Sequence, residues 1–300
     1  TPSPTTPTVR PTILYLVVCR VDIGYRGNRL SVTYFREDMS DGFRRTGTVR
    51  RYSYNKYDAS GFDPVSANRP PTIQELPYTP YTELRVVSET TNGSRTLKEG
   101  VEFTFSSLRI PIVRTRVTVN GAWFKTTLNN SQPLWYKPSI ILNGQEMQYA
   151  GLYYDTDGNT YQSFNTNFVF DTDIPRLKLN FSIAVQNMWF TSTQAMVRNG
   201  IPAYYMDASG EIYPYTAESI TDTYLQHLIR TYSSTAFDER RVPVATTINL
   251  KATKKLWNDR IGVALYVNRL ASITPDYYLY GQLRRRYTSP YFGMEINFKI

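Results

Sequence analysis

The chain has 300 residues, a net charge of +9, 25 tyrosines, one cysteine and one histidine. One cysteine excludes an internal disulfide framework, and one histidine excludes a multi-histidine metal site. The longest uninterrupted apolar run, Ile13 to Cys19, is seven residues, far short of the ~20 that a membrane-spanning helix needs.

The excess of basic residues does not read as a nucleic-acid surface. Arg44/Arg45, Arg50/Arg51, Arg240/Arg241 and Arg284 to Arg286 are short, separate clusters. No helix-turn-helix, zinc-finger spacing or aromatic RNA-binding signature accompanies them. They read as solvated charge, with an anionic membrane surface as the other use. No nucleophile elbow, phosphate loop, HExxH or paired-cysteine motif occurs, so neither an enzyme nor a cofactor or metal site is expected.

In chain order, residues 1–16 are rich in Thr and Pro, match no periodic pattern, and read as an unassigned or disordered lead-in. Thr1 is not followed by a charged–apolar–small leader, which reads as a fragment or a mature product. From Val17 onward, period-two alternation predicts nine strands. Val17, Cys19, Val21 and Ile23 form the first apolar set, and a tight turn at Arg26 to Arg29 leads to Leu30, Val32 and Tyr34. After a long connection (38–95), Val101, Phe103 and Phe105 are joined through Ser107 to Pro111 to Val113, Thr115, Val117 and Val119. After 126–162, Phe164, Thr166, Phe168 and Phe170 are joined through Asp171 to Pro175 to Leu177, Leu179, Phe181, Ile183 and Val185. After 192–240, Val242, Val244, Thr246, Ile248 and Leu250 are joined through Thr253 to Asp259 to Ile261, Val263, Leu265 and Val267. After 270–287, Phe292, Met294, Ile296, Phe298 and Ile300 complete the set.

Short turns therefore fall at one end of the sheet and long loops at the other. Structureless loops beyond about 12–15 residues are uncommon in compact domains, and here four would lie on one side. An all-β, antiparallel transmembrane β-barrel portion predicts this asymmetry, with lipid on the apolar face and an aqueous lumen on the other. The polar face carries Arg20, Asp22, Glu102, Arg114, Arg116, Lys178, Lys251, Glu295 and Lys299. Trp123 and Trp189 fall near the long-loop ends and Phe105, Phe170 and Phe298 near the short-turn ends, as aromatic girdles would. The alternative is a soluble or surface-exposed β-sandwich binding or adhesion module whose charged face meets solvent.

The closing segment, Ser289-Pro290-Tyr291-Phe292-Gly293-Met294-Glu295-Ile296-Asn297-Phe298-Lys299-Ile300, resembles the last strand of TonB-dependent outer-membrane receptors. It is most similar to the Bacteroidota branch that includes the SusC-like transporters. Phe298 is followed by Lys299 and Ile300, whereas many such proteins end on Phe. The stretch Arg29 to Phe43 looks like a strand-and-loop segment of the same branch. The resemblance spans roughly 20–300. It implies that 17–300 is the C-terminal barrel portion of such a receptor: about nine of 22 strands, forming an open curved sheet with two exposed edges. The plug, the TonB-contacting box and the earlier strands are absent from the pattern. The implied function is uptake of a large nutrient (glycan, peptide or metal chelate) across the cell outer membrane. The implied partners are outer-membrane lipid, the TonB complex through the absent N-terminal part, and a SusD-like lipoprotein lid. Ile300 at the periplasmic side would make the long loops extracellular.

Three loop features stand out. Asp155 to Thr160 has carboxylates at calcium-loop spacing, but Gly158 comes one place early and no Glu follows, so a polar turn is expected. Residues 217–231 carry Ile220, Tyr224, Leu228 and Thr231 at helical spacing, with Leu225 and Ile229 adjacent. Ser219 or Thr221 is the expected cap, and His227 a structural residue. The tyrosine-rich loops supply the candidates for substrate contact: Tyr136, Tyr153, Tyr154, Tyr204, Tyr205, Tyr213 and Tyr278. Such rings offer apolar faces with a polar handle.

Overall fold

In the computed structural model, which describes residues 10–63, 69–154, 157–258 and 260–298, the strands run in chain order as follows. Strands β1 (Ile13–Tyr25), β2 (Asn28–Tyr57), β3 (Tyr78–Ser106) and β4 (Thr115–Asn130) come first. A loop-side group follows: β5 (Leu134–Tyr136), β6 (Ile141–Leu142), β7 (Gln145–Glu146) and β8 (Ala150–Tyr153). Next are the long strands β9 (Asn159–Ile174) and β10 (Leu179–Ala195), then β11 (Tyr204–Met206), β12 (Ile212–Pro214), helix α1 (Ala217–Thr221) and β13 (Arg240–Val242). The chain closes with β14 (Ala245–Leu256), β15 (Ile261–Ile273), β16 (Tyr277–Leu279), β17 (Gln282–Arg284) and β18 (Tyr291–Phe298).

One antiparallel sheet dominates, with the order β1-β2-β3-β4-β9-β10-β14-β15-β18 and β13 added to the far end of β10. Each long strand pairs with the next in sequence, so the sheet is a meander. The pairing register carries the binary pattern across it. Directly paired residues share a face. Ile23, Leu30, Phe105, Val119, Phe168, Val185, Ile248 and Ala271 form one continuous apolar row across eight strands. The adjacent row on the opposite face is Asp22, Ser31, Thr104, Asn120, Asn167, Gln186, Thr247 and Ser272, polar throughout. A one-residue slip in any pair would exchange the two faces. The in-register rows show that eight strands agree on one answer.

The apolar face has limits. Toward the long-loop end it finishes in Tyr34, Val101, Trp123, Phe164 and Phe190. The next row on that face is charged: Arg36, Glu99 and Lys125. At the bulge between Met188 and Phe190, Trp189 stacks on Phe164 with centroids 6.2 Å apart. Its indole N–H donates to Thr166 Oγ1 at 3.0 Å. Gly121 lies directly opposite Phe103, whose ring occupies the place a Cβ would take, 2.6 Å away.

Little of this sheet is buried. Among the described residues the buried hydrophobics are Leu84, Met147, Ala150, Leu152, Tyr153, Leu225, Leu228 and Ala264, and all but Ala264 lie beyond its long-loop end. Phe292 is 75% exposed and Phe298 70%. The sheet presents a broad uncovered apolar face, far beyond what monomeric soluble proteins usually leave open.

Several expectations change. The first strand begins at Ile13, not Val17, and Arg10 N–H donates to Asn92 Oδ1 at 2.6 Å; residues 1–9 lie outside the described set. The fourth strand begins at Thr115, because 111–114 form a turn with Arg114 at φ 49°. The connection 38–95 is mostly strand. β2 and β3 stay paired to Tyr57 and Tyr78 and continue past the sheet as a two-stranded ribbon. Register shifts around Gly42 mark where the ribbon leaves the sheet. The helix expected over 217–231 is only Ala217–Thr221. Asp222 turns extended (φ −68°, ψ 139°), and its Oδ1 accepts from the N–H groups of Tyr224 and Leu225, both at 2.8 Å. A short side chain that bonds nearby backbone competes with helix. Leu225–Leu228 then form a 3-10 turn, and Thr216, not Ser219 or Thr221, is the N-cap; Ser219 Oγ instead accepts from the Thr216 N–H at 3.2 Å.

Candidate functional site

The long connections build a second body at the far end of the meander. It is a four-stranded sheet, β12-β11-β8-β5, drawn from two different loops. Met147, Leu225 and Leu228 form its core, with Leu142, Tyr149, Tyr205 and Tyr215 packed around them. Tyr205 is the hub. It stacks on Tyr213 at 5.5 Å and meets Tyr149 at 6.0 Å and Tyr215 at 6.5 Å edge-on. Tyr215 donates its hydroxyl to Leu225 O at 3.2 Å. Burial pushes the phenols of Tyr149, Tyr205 and Tyr215 upward, and the nearby Asp222 carboxylate pushes the same way. All three remain protonated donors at neutral pH.

The ribbon is fastened to this body. Lys137 Nζ donates to Leu84 O at 2.9 Å, Gln148 Nε2 to Tyr81 Oη at 2.9 Å, and Arg51 to Ser209 O. Arg44 forms a bidentate pair with Asp157, whose side chain is 21% exposed. Burial raises the Asp157 carboxyl, but the Arg44 hydrogen bond and charge outweigh it and hold it below the usual range. Both Asp157 oxygens are thereby engaged by a cation, which argues against the calcium-loop pattern; Asp155 and Thr156 lie outside the described residues.

The candidate tyrosines distribute unevenly. Tyr136 and Tyr153 come together edge-on at 6.4 Å, Tyr154 and Tyr204 at 6.4 Å, and Tyr205 and Tyr213 stack. Tyr153 is 1% exposed and donates its hydroxyl to Leu228 O. It is core of the loop sheet and offers no face to a ligand. Tyr278 sits apart, 72% exposed, on the β16–β17 hairpin.

A cleft of about 910 Å³ opens between Tyr136–Ile140 and the segment 226–232. Its lining includes Lys137, His227 and Arg230 and no carboxylate. The Arg230 guanidinium lies over the rings of Tyr136, Tyr153 and Tyr232 at 5.1, 5.5 and 5.7 Å. Sequence reasoning missed Arg230 and Tyr232 because both sat in or next to a span assigned to helix. The structure leaves 230–232 outside any helix or strand, with Arg230 N–H donating to Gly200 O at 2.9 Å. No sequence signal singled them out.

The fold defines an all-β chain: an antiparallel nine-strand meander with a structured loop body at one end. No protein-family model, curated protein or solved structure matches it.

Proposed function

We propose that the chain is a wall segment of an outer-membrane β-barrel of the TonB-dependent receptor type, with its loop body facing outward to meet a nutrient. The observation that carries this reading is the pair of rows described above, one apolar and one polar, kept in register across eight strands. A lipid-facing surface and an aqueous lumen require that arrangement. A soluble sandwich would need a second sheet over the apolar face, and none of the described residues forms one.

The height of the apolar band supports the same reading. From Phe164 to Ile174 the strand advances ten residues, ~33 Å at ~3.3 Å each. Tilted by about 45°, that spans roughly 23 Å, close to the ~25 Å apolar band of such barrels. The aromatic row with Trp123, Phe164 and Phe190 fits the outer interface, and the charged row of Arg36, Glu99 and Lys125 fits the water above it. Salt-bridged pairs on the polar face, Arg20–Asp22 at 2.9 Å and Lys251–Glu295 at 3.2 Å, suit a wet lumen.

The free edges fit a wall rather than a closed barrel. Among the described residues β1 pairs only with β2, and β18 only with β15. Lipid satisfies no backbone group, so both edges require further strands, and energised uptake belongs to the longer assembly. A SusD-like lid over the loop body and the TonB complex beneath are the partners this reading implies. Intact-cell labelling tests it. A cysteine placed at Tyr213 should react with an impermeant reagent, and one at Trp257, in the short turn before β15, should not. The reverse pattern, or a protein found wholly in the aqueous fraction, would overturn the proposal.

A further inference from the structure

The geometry points to the cleft between Tyr136–Ile140 and 226–232 as a binding site for a ring that bears a carboxylate, with Arg230 as its anion receptor. The inference rests on the outward-facing reading of the loop body.

Arg230 is the unusual group. A guanidinium carries five N–H donors, and Arg230 lines an open cleft where an incoming acceptor can reach them. Among the described residues no oxygen accepts from the Arg230 guanidinium, and no acidic residue lines the cleft. What holds it is three tyrosine faces. Cation–π contact fixes the position of the charge without consuming its hydrogen bonds. Tyr153, itself anchored to Leu228 O, gives that cradle a rigid floor. The fork is thus pre-oriented and its donors are free for a bidentate oxyanion.

Two neighbours define the remaining chemistry. Tyr136 is 38% exposed at the cleft wall and offers an aromatic surface against which the apolar face of a sugar or the plane of an aromatic ring packs beside the bound carboxylate. Lys137 contributes less charge than its position suggests, because its ammonium already donates to Leu84 O and lies 4.0 Å from Glu146. The attraction therefore centres on Arg230. The cleft volume falls within the ~300–1,000 Å³ of small-ligand sites. Backbone packing also serves the position of Arg230. Gly200 has φ +73°, and a Cβ there would lie 2.0 Å from Arg230 O, so only glycine lets the two segments close.

A uronic-acid sugar and an aromatic carboxylate share this chemistry, and the test separates them. The chain, carried in the longer barrel that completes both its edges and purified in detergent, is titrated with a galacturonate trimer, the matching neutral galactose trimer, benzoate and inorganic phosphate. The galacturonate trimer should bind at least about tenfold more tightly than the neutral trimer, the worth of one charge-assisted contact. Arg230→Gln should erase that preference and Arg230→Lys should restore part of it. Benzoate binding as tightly as the trimer would assign the site to aromatic carboxylates; benzoate binding far more weakly would assign it to acidic sugars. Equal affinity for acidic and neutral trimers, no binding of either carboxylate, phosphate competing as well as the trimer, or a preference that survives Arg230→Gln would each overturn the inference. The comparison of ligands on the unaltered protein needs no variant to fold. Labelling of Tyr213 and Trp257 positions on cells judges the wall reading separately, so either idea can fail alone.

Discussion

The meander and the loop body solve opposite problems with the same alphabet. The meander spans nine strands and buries one hydrophobic residue completely, Ala264, while Phe292 and Phe298 stand open. The loop body uses strands of three or four residues and closes a dry core around Met147, Leu225 and Leu228. Its tyrosines hydrogen-bond inward and stack on one another, as residues do where water is the surrounding solvent. The meander's apolar residues gather on one face of a single sheet that no second sheet covers among the described residues, as the proposed lipid-facing role would need. On the proposed reading one chain is built for two media, and the row of Arg36, Glu99 and Lys125 marks the boundary.

Within the meander the largest effect is expected from charging the apolar row. Phe168→Arg and Ile248→Arg should each cost about 2–4 kcal/mol in a bilayer, and the pair should couple through Val185, which is paired with both. Asn167→Arg and Thr247→Arg, one residue away on the other face, should cost little. Unfolding by denaturant in lipid vesicles measures all four, and equal sensitivity on both faces would remove the distinction. Leu228→Ala should cost about 2–5 kcal/mol, but within the loop body. Protease resistance of the segment 131–158 should fall while the sheet remains intact. Joint collapse of both regions would show that they are one cooperative unit.

The meander was legible in the sequence because its signal is local and repeated. Alternation at Phe292 to Phe298 or Leu179 to Val185 gives strand, face and register together. The loop body was not, because its order comes from contacts between distant segments. Tyr205 looks like any loop tyrosine until β11 is laid beside β8, and Tyr153 looks like its exposed neighbour Tyr154. The 217–231 pattern has helical spacing, yet Asp222 captures two backbone donors and ends the helix after five residues. The ribbon of β2 and β3 was read as loop because its alternation is polar on both faces, with Arg44, Arg45, Arg50 and Arg51 where apolar residues would have marked a strand.

The junction between the two regions gives a smaller, pH-dependent effect. Asp157 has a lowered carboxyl pKa through Arg44, so its contribution is complete above the unfolded value and lost as pH falls through the folded one, from about pH 4 downward. Asp157→Asn should loosen the ribbon by ~1–3 kcal/mol at neutral pH and remove the acid dependence, read as hydrogen exchange across 42–57. The smallest effect belongs to the aromatic row at the long-loop end of the sheet. Thr166→Val deprives the Trp189 indole of its acceptor and should cost about 0.5–1.5 kcal/mol, with unfolding in lipid again as the measure.

The central claim is that the two faces of the meander meet different solvents. Cys19 is the chain's only cysteine, so a Cys19→Ser background, carried in an otherwise cysteine-free barrel that completes both edges, permits single cysteines at each position from Phe164 to Asp171. Each is labelled with a spin probe in lipid vesicles, and collision with oxygen, which concentrates in the bilayer, is compared with collision with a water-soluble nickel chelate. The account predicts strict alternation along β9: Phe164, Thr166, Phe168 and Phe170 favour oxygen, while Asn165, Asn167, Val169 and Asp171 favour the chelate. Chelate access at every position, with no period of two, would contradict it.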